Sequence, residues 1–153
     1  MKLAEALLLR TDMQKKLSSL RQRIAKNALL QEGQEPNEQP EELIKQSFEV
    51  LDQLGRLTTV VNSANLEHTL PDGRTMTAAL AERDMLREKH AVLQTGISAT
   101  QQEPDRYSAR QIKWIPALCV ADLQRQSDDL SKQIRELNAK IQATNWAIEI
   151  DYT

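Results

Sequence analysis

The sequence predicts a mainly α-helical protein: four long helices, paired as an antiparallel bundle or as coiled-coil hairpins, with a small β-hairpin or three-stranded β element at one end. Three observations carry that reading. Apolar residues recur at alternating spacings of three and four through most of the chain, the signature of helices that bury one face. Aromatic residues make up only 3% of the 153 residues and glycines number 4, so buried area has to come from Leu, Ile, Val and Ala on packed helices, not from bulky rings. The joints between the periodic segments are long, and two of them carry β-type signals. The length suits a single helical domain, 1–153.

The first helix is expected over about 3–31. Leu3, Ala6, Met13, Leu17, Leu20 and Ile24 form its seam, with Arg10 and Asn27 as polar members of the series. Leu7, Leu8, Leu9, Ala28 and Leu29 widen the apolar face beyond a two-stranded seam. "EGQEPNEQP" (32–40) then stops the helix with one glycine and two prolines, a solvated loop. Pro40 and the acids Glu41 and Glu42 suit the start of a second helix, about 41–65. Its heptad series is Leu43, Ser47, Val50, Leu54, Leu57, Val61 and Ala64, flanked by Ile44, Phe48 and Leu51.

"TLPDGRTMTAAL" (69–80) interrupts this pattern. Pro71 presets its φ, Asp72 accepts local hydrogen bonds and Gly73 takes a positive φ, which makes a turn. The flanks predict a hairpin tip of 68–70 against 74–76; an irregular helix–helix loop is the alternative. Thr75 or Thr77 caps a third helix, about 77–98, with a seam of Met76, Ala79, Arg83, Leu86, His90, Leu93 and Ile97. The next joint, 99–120, is long for a helical protein. In "RQIKWIP", Ile112 and Trp114 alternate with polar residues, a strand signature over 111–115 that would add a third strand to the hairpin. A short helix capped by Ser108 is the alternative. The fourth helix is expected over about 121–146, with Leu123, Ser127, Leu130, Ile134, Leu137, Ile141 and Thr144 in series and Asp122 in its first turn. The tail "AIEIDYT" alternates; it either frays or adds an edge strand.

Four segments carry a resemblance to known proteins. "MKLAEALLLRTDMQKKLSSLRQRI", "NSANLEHTLPDGRTMTAALAERDMLREKH", "DRYSARQIKWIPALCVADLQRQSDDL" and the late "TNW" together resemble a bacterial family of uncharacterised coiled-coil proteins, some of whose members are labelled septicolysin, a cytolysin-like toxin name. The resemblance spans nearly the whole chain. Its most specific parts are Asp72-Gly73-Arg74-Thr75 and Arg106-Tyr107-Ser108. It implies a helical fold of unknown function and carries over no catalytic residues.

The composition narrows the classes of function. A net charge of -2 provides no bulk attraction to nucleic acid or anionic membranes; the basic run "RQRIAK" (21–26) reads as a solvated helix face. "LAEALLL" (3–9) is too short to span a bilayer and lacks the features of a signal peptide, so the expected location is cytoplasmic. Glu-x-x-His pairs and Cys-x-x-Cys spacings are absent, so no metal and no other cofactor are expected. Cys119 is the lone thiol. A helix N-terminus lowers a thiol pKa, but here a small apolar residue between Leu118 and Val120 is the plainer reading. "DGRT" is too short to be a phosphate loop. The polar residues Asn62, Asn65, Arg83, Asp84, Asn145 and Trp146 fall near helix ends or seams, where capping is favoured over a ligand pocket.

The favoured reading is therefore a non-enzymatic, oligomerising interaction or scaffold module. Its helices carry more apolar surface than one seam needs, as Ile44 and Leu51 do beside Leu43, Val50 and Leu54, and such excess marks interfaces between subunits. A homo-oligomer is the expected assembly, unless Ile112 and Trp114 fold back to cover the excess. A septicolysin-like membrane-active toxin is the first alternative, and liposome leakage separates it from the favoured reading. A small-ligand-binding protein or enzyme with a pocket near the hairpin end is the second; convergent buried polar groups beside a cavity would mark it.

Overall fold

The computed structural model describes residues 1–102 and 113–152. They contain four α-helices: α1 (Leu3–Asn27), α2 (Pro40–Glu67), α3 (Met76–Thr100) and α4 (Val120–Ala147). They fall into two compact units, one made of Met1–Thr69 with Gln142–Thr153 and the other of Leu70–Ile141. α4 contributes to both.

In the first unit α1 and α2 form an antiparallel pair. Leu17 and Leu20 of α1 meet Leu43 and Val50 of α2 in a core flanked by Met13 and Ile24. Leu57, Val61 and Ala64 continue the buried stripe of α2. Ser47 sits in the same stripe because its hydroxyl donates to the Leu43 carbonyl at 2.8 Å, so its polar group is satisfied inside. Pro40 is the first residue of α2, where its missing N–H costs nothing.

α1 ends at Asn27, short of the expected 31. Asn27 is buried and fastens the loop. Its amide donates to the Arg23 carbonyl at 2.9 Å, and its side-chain oxygen accepts the Glu38 backbone N–H at 3.2 Å. The Arg23 guanidinium also holds the Glu38 carboxylate, with Nε to Oε2 at 2.8 Å. The helix thus stops where its last buried side chain is bonded to the returning chain, and Leu29 and Leu30 are left exposed.

The tail after α4 returns to the start of the chain. Leu3 N–H donates to the Ile148 carbonyl at 3.0 Å and Ile150 N–H to the Met1 carbonyl at 2.9 Å. Lys2 and Glu149 form a single antiparallel bridge whose side chains pair at 2.7 Å. Ile148 and Ile150 are buried while Glu149 faces outward, which is the physical content of the tail's alternation.

The expected β element is not present: no strand occurs among the described residues. The turn at Pro71, Asp72 and Gly73 is closed by Gly73 N–H to the Leu70 carbonyl at 2.9 Å and by Leu70 N–H to the Arg74 carbonyl at 2.8 Å. Gly73 has φ +88°. Thr69 and Thr75 are isolated bridge residues, and no strand extends from them because the next residue on each arm is already committed to a helix end. His68 caps the end of α2, its N–H on the Ala64 carbonyl at 3.1 Å. Thr75 caps α3 by accepting the Ala78 N–H at 3.1 Å, and Met76 is already helical. Of the expected third strand, 111–115, the described part shows no strand. Lys113, Trp114 and Ile115 carry no strand, and Trp114 and Ile115 are exposed. Gln111, Ile112, the Ser108 cap and the Arg106-Tyr107-Ser108 motif lie outside the described residues.

In the second unit α3 and α4 run antiparallel. Gln94 Nε2 donates to the hydroxyl of buried Ser127 at 2.7 Å. Gly96 lets Leu118, just before α4, and Leu123 of α4 approach: a β-carbon there would stand 3.3 Å from a Leu118 methyl and 3.5 Å from a Leu123 methyl. Met76, Ala79, Leu86 and Ile97 are the buried face of α3.

Candidate functional site

Away from its buried face, α3 carries a second stripe at Met85, Glu88, Lys89 and Val92, the i, i+3, i+4, i+7 spacing of one helix side. α4 places Leu130 and Asp129 opposite. Between the two helices runs an open groove of about 630 Å³, to which Leu93 adds a further apolar side chain. Met85 is 47% and Val92 70% exposed. An apolar groove bounded by Glu88 and Lys89 on one side and Asp129 on the other suits the apolar face of a helix with charged flanks. A smaller hollow of about 280 Å³ lies where Trp114, Ile115 and Leu118 pass the C-terminal end of α3 near Gly96.

The first unit has an exposed stripe of its own. Ile44, Phe48 and Leu51 follow i, i+4, i+7 on α2, and Phe48, the chain's one phenylalanine, is 63% exposed. The helix turns its heptad series inward and leaves this flank to solvent.

The strongest electrostatics surround the Asp72 turn. The Asp72 carboxylate accepts the Arg74 backbone N–H at 3.3 Å and two guanidinium nitrogens, Nε at 3.2 Å and Nη2 at 2.6 Å. Arg74 also bonds Glu82 of α3, and Lys140 of α4 stands 3.8 Å from Asp72. The hydrogen bonds from Arg74 hold the Asp72 carboxyl down at about 2, and the same bonds raise the Arg74 guanidinium. The charges of this cluster are spent on one another. They tie the turn to both helices and fasten the structure.

The six candidate polar residues do not form one site. Asn62, exposed, and Asn65, half-buried, lie on α2; Asn145 is buried and Trp146 exposed near the end of α4 in the same unit. Arg83 and Asp84 belong to the other unit and bond each other, Nη2 to Oδ1 at 3.0 Å. Cys119 is exposed, and its carbonyl accepts the N–H groups of Asp122 and Leu123, both at 3.1 Å, at the start of α4. Among the described residues no three His, Cys, Asp or Glu side chains converge as a metal site, and no helix is long and apolar enough to cross a membrane. The sequence reading missed the α3 stripe because it followed only the stronger series through Met76, Leu86 and Ile97. A search for a second three-four spacing would have found it.

A family whose description reads "family of unknown function (DUF6847)" matches residues 10–150. The chain belongs to this family. The DUF6847 chain is also similar to a solved structure, a functionally unknown conserved protein from Corynebacterium diphtheriae, at 30% identity over 99% of each chain and a TM-score of 0.88. A comparison with curated proteins finds no match. The expected kinship with uncharacterised bacterial proteins stands at this level; neither description mentions a coiled coil or septicolysin.

Proposed function

We propose that the DUF6847 chain is a non-enzymatic helical module that self-associates through helix faces. The observation that carries this reading is the ordering of its exposed apolar side chains. Ile44, Phe48 and Leu51 on α2, and Met85 and Val92 on α3, stand at helical spacing on single faces. Singly scattered apolar residues are normal on a surface, whereas apolar side chains grouped on one helix face are the kind of surface that a partner covers. Closed symmetric association of identical chains is the commonest way to cover them. A binding role also fits a groove lined by Met85, Val92, Leu93 and Leu130, while the buried hydrogen bonds at Asn27, Ser47 and Ser127 serve the fold.

Light scattering on the purified protein across a dilution series tests the reading. A mass well above 17.4 kDa that falls only at high dilution is the expected result. The monomer mass at every concentration up to about 100 μM, well above a micromolar dissociation constant, would end it.

A further inference from the structure

We infer that the α3 stripe is the surface on which two copies pair, antiparallel, about a twofold axis passing between Glu88 and Lys89. The inference rests on the self-association reading and adds the surface and its register. The order along the stripe is apolar, acid, base, apolar: Met85, Glu88, Lys89, Val92. Reversing the helix end for end exchanges Met85 with Val92 and Glu88 with Lys89. In an antiparallel pair centred between Glu88 and Lys89, Met85 of one copy therefore meets Val92 of the other, and each Glu88 meets the other copy's Lys89. Every contact occurs twice, which is the property of an isologous interface. All four side chains are exposed in the single chain and accessible to a second copy.

Size and charge both favour a second copy as occupant. α3 has 25 residues, so it is about 37 Å long at 1.5 Å per residue. Two neighbouring helices present a face about 20 Å wide, given spacings of about 10 Å. The product, about 700 Å², is close to the roughly 800 Å² per partner of a standard stable interface. A lipid surface would call for a basic, aromatic face; this rim carries one acid and one base on α3 and Asp129 on α4. Opposite charges brought together across an interface also set register and suppress wrong pairings.

The test uses two charge reversals, Glu88→Lys and Lys89→Glu, each in the full chain, with mass and dissociation constant measured by sedimentation. Each variant alone places like charges against each other twice per dimer, so each should dimerise about tenfold or more weakly than wild type. Mixed in equal amounts, the two variants bring opposite charges together again and should form a heterodimer of near wild-type affinity. Circular dichroism of each variant should match the wild type, since both positions are exposed. Weakening without rescue on mixing would overturn the register, and unchanged dimerisation of both variants would overturn the surface. In those two cases an oligomeric wild type leaves the self-association reading standing. A monomeric wild type ends both.

Discussion

Gly73 holds φ +88° in a turn where an added β-carbon would meet nothing within 4 Å. Replacing it therefore costs backbone strain alone. Gly73→Val should lower stability by about 1–3 kcal/mol, read as a drop in the thermal unfolding midpoint by circular dichroism. The neighbouring Asp72 has a pH signature. Its folded value, about 2, lies below the ordinary 3.8 because Arg74 stabilises the carboxylate. A depressed acid contributes stability that is full above its unfolded value and is lost as the pH falls through the folded one. The wild type should lose stability between about pH 4 and about pH 2, and Asp72→Asn should lose less over that window, a difference that shrinks in high salt. Asn27 is buried and holds the Glu38 N–H. Asn27→Ala should cost about 1–3 kcal/mol and loosen the α1–α2 loop first, measurable as faster amide exchange at Glu38.

Helices α1 to α4 were all legible from periodicity, since a three-four pattern sustained over about six turns has no competing solution. Their ends were less so. α1 stops at Asn27 for a reason that lies in Glu38, a residue eleven positions on. The β tip failed because turn chemistry at Pro71 to Gly73 defines a reversal of the chain and leaves the conformation of both arms open. A capping threonine and a helical Met76 claimed the second arm. The two helical glycines make a paired test. Gly55 on α2 has open space around its β position, whereas Gly96 on α3 faces Leu118 and Leu123. Gly55→Ala should stabilise by about 0.5–1 kcal/mol from helix propensity. Gly96→Ala should gain less, since the leucines must give way; equal gains in denaturant midpoint would contradict the close approach there.

Each unit carries both buried apolar residues and an exposed row of apolar side chains, Ile44, Phe48 and Leu51 in one and Met85 and Val92 in the other. Self-association of the kind proposed would link stability to concentration, because mass action favours an assembly as protein is added. The thermal midpoint should rise by a few degrees between about 1 μM and about 100 μM protein, and a midpoint independent of concentration would count against self-association. The similarity to the Corynebacterium diphtheriae protein runs the full length of both chains. The fold is thus shared as a whole, and the same α3 face can be sought there by solution mass.

The helical class, the four helices and the loop that follows α1 are readable from sequence because they depend on local spacing, proline and glycine, which act within a few residues. The resemblance to uncharacterised bacterial proteins likewise needed only the linear order of motifs. Three features required the folded chain. Asn27 reaching Glu38 sets the end of α1, the two chain ends bridge through Lys2 and Glu149, and α3 turns Met76, Leu86 and Ile97 inward while leaving Met85 and Val92 outside. Periodicity shows that a helix has apolar sides; which side is buried depends on what packs against it, and that is a property of residues far apart in the chain.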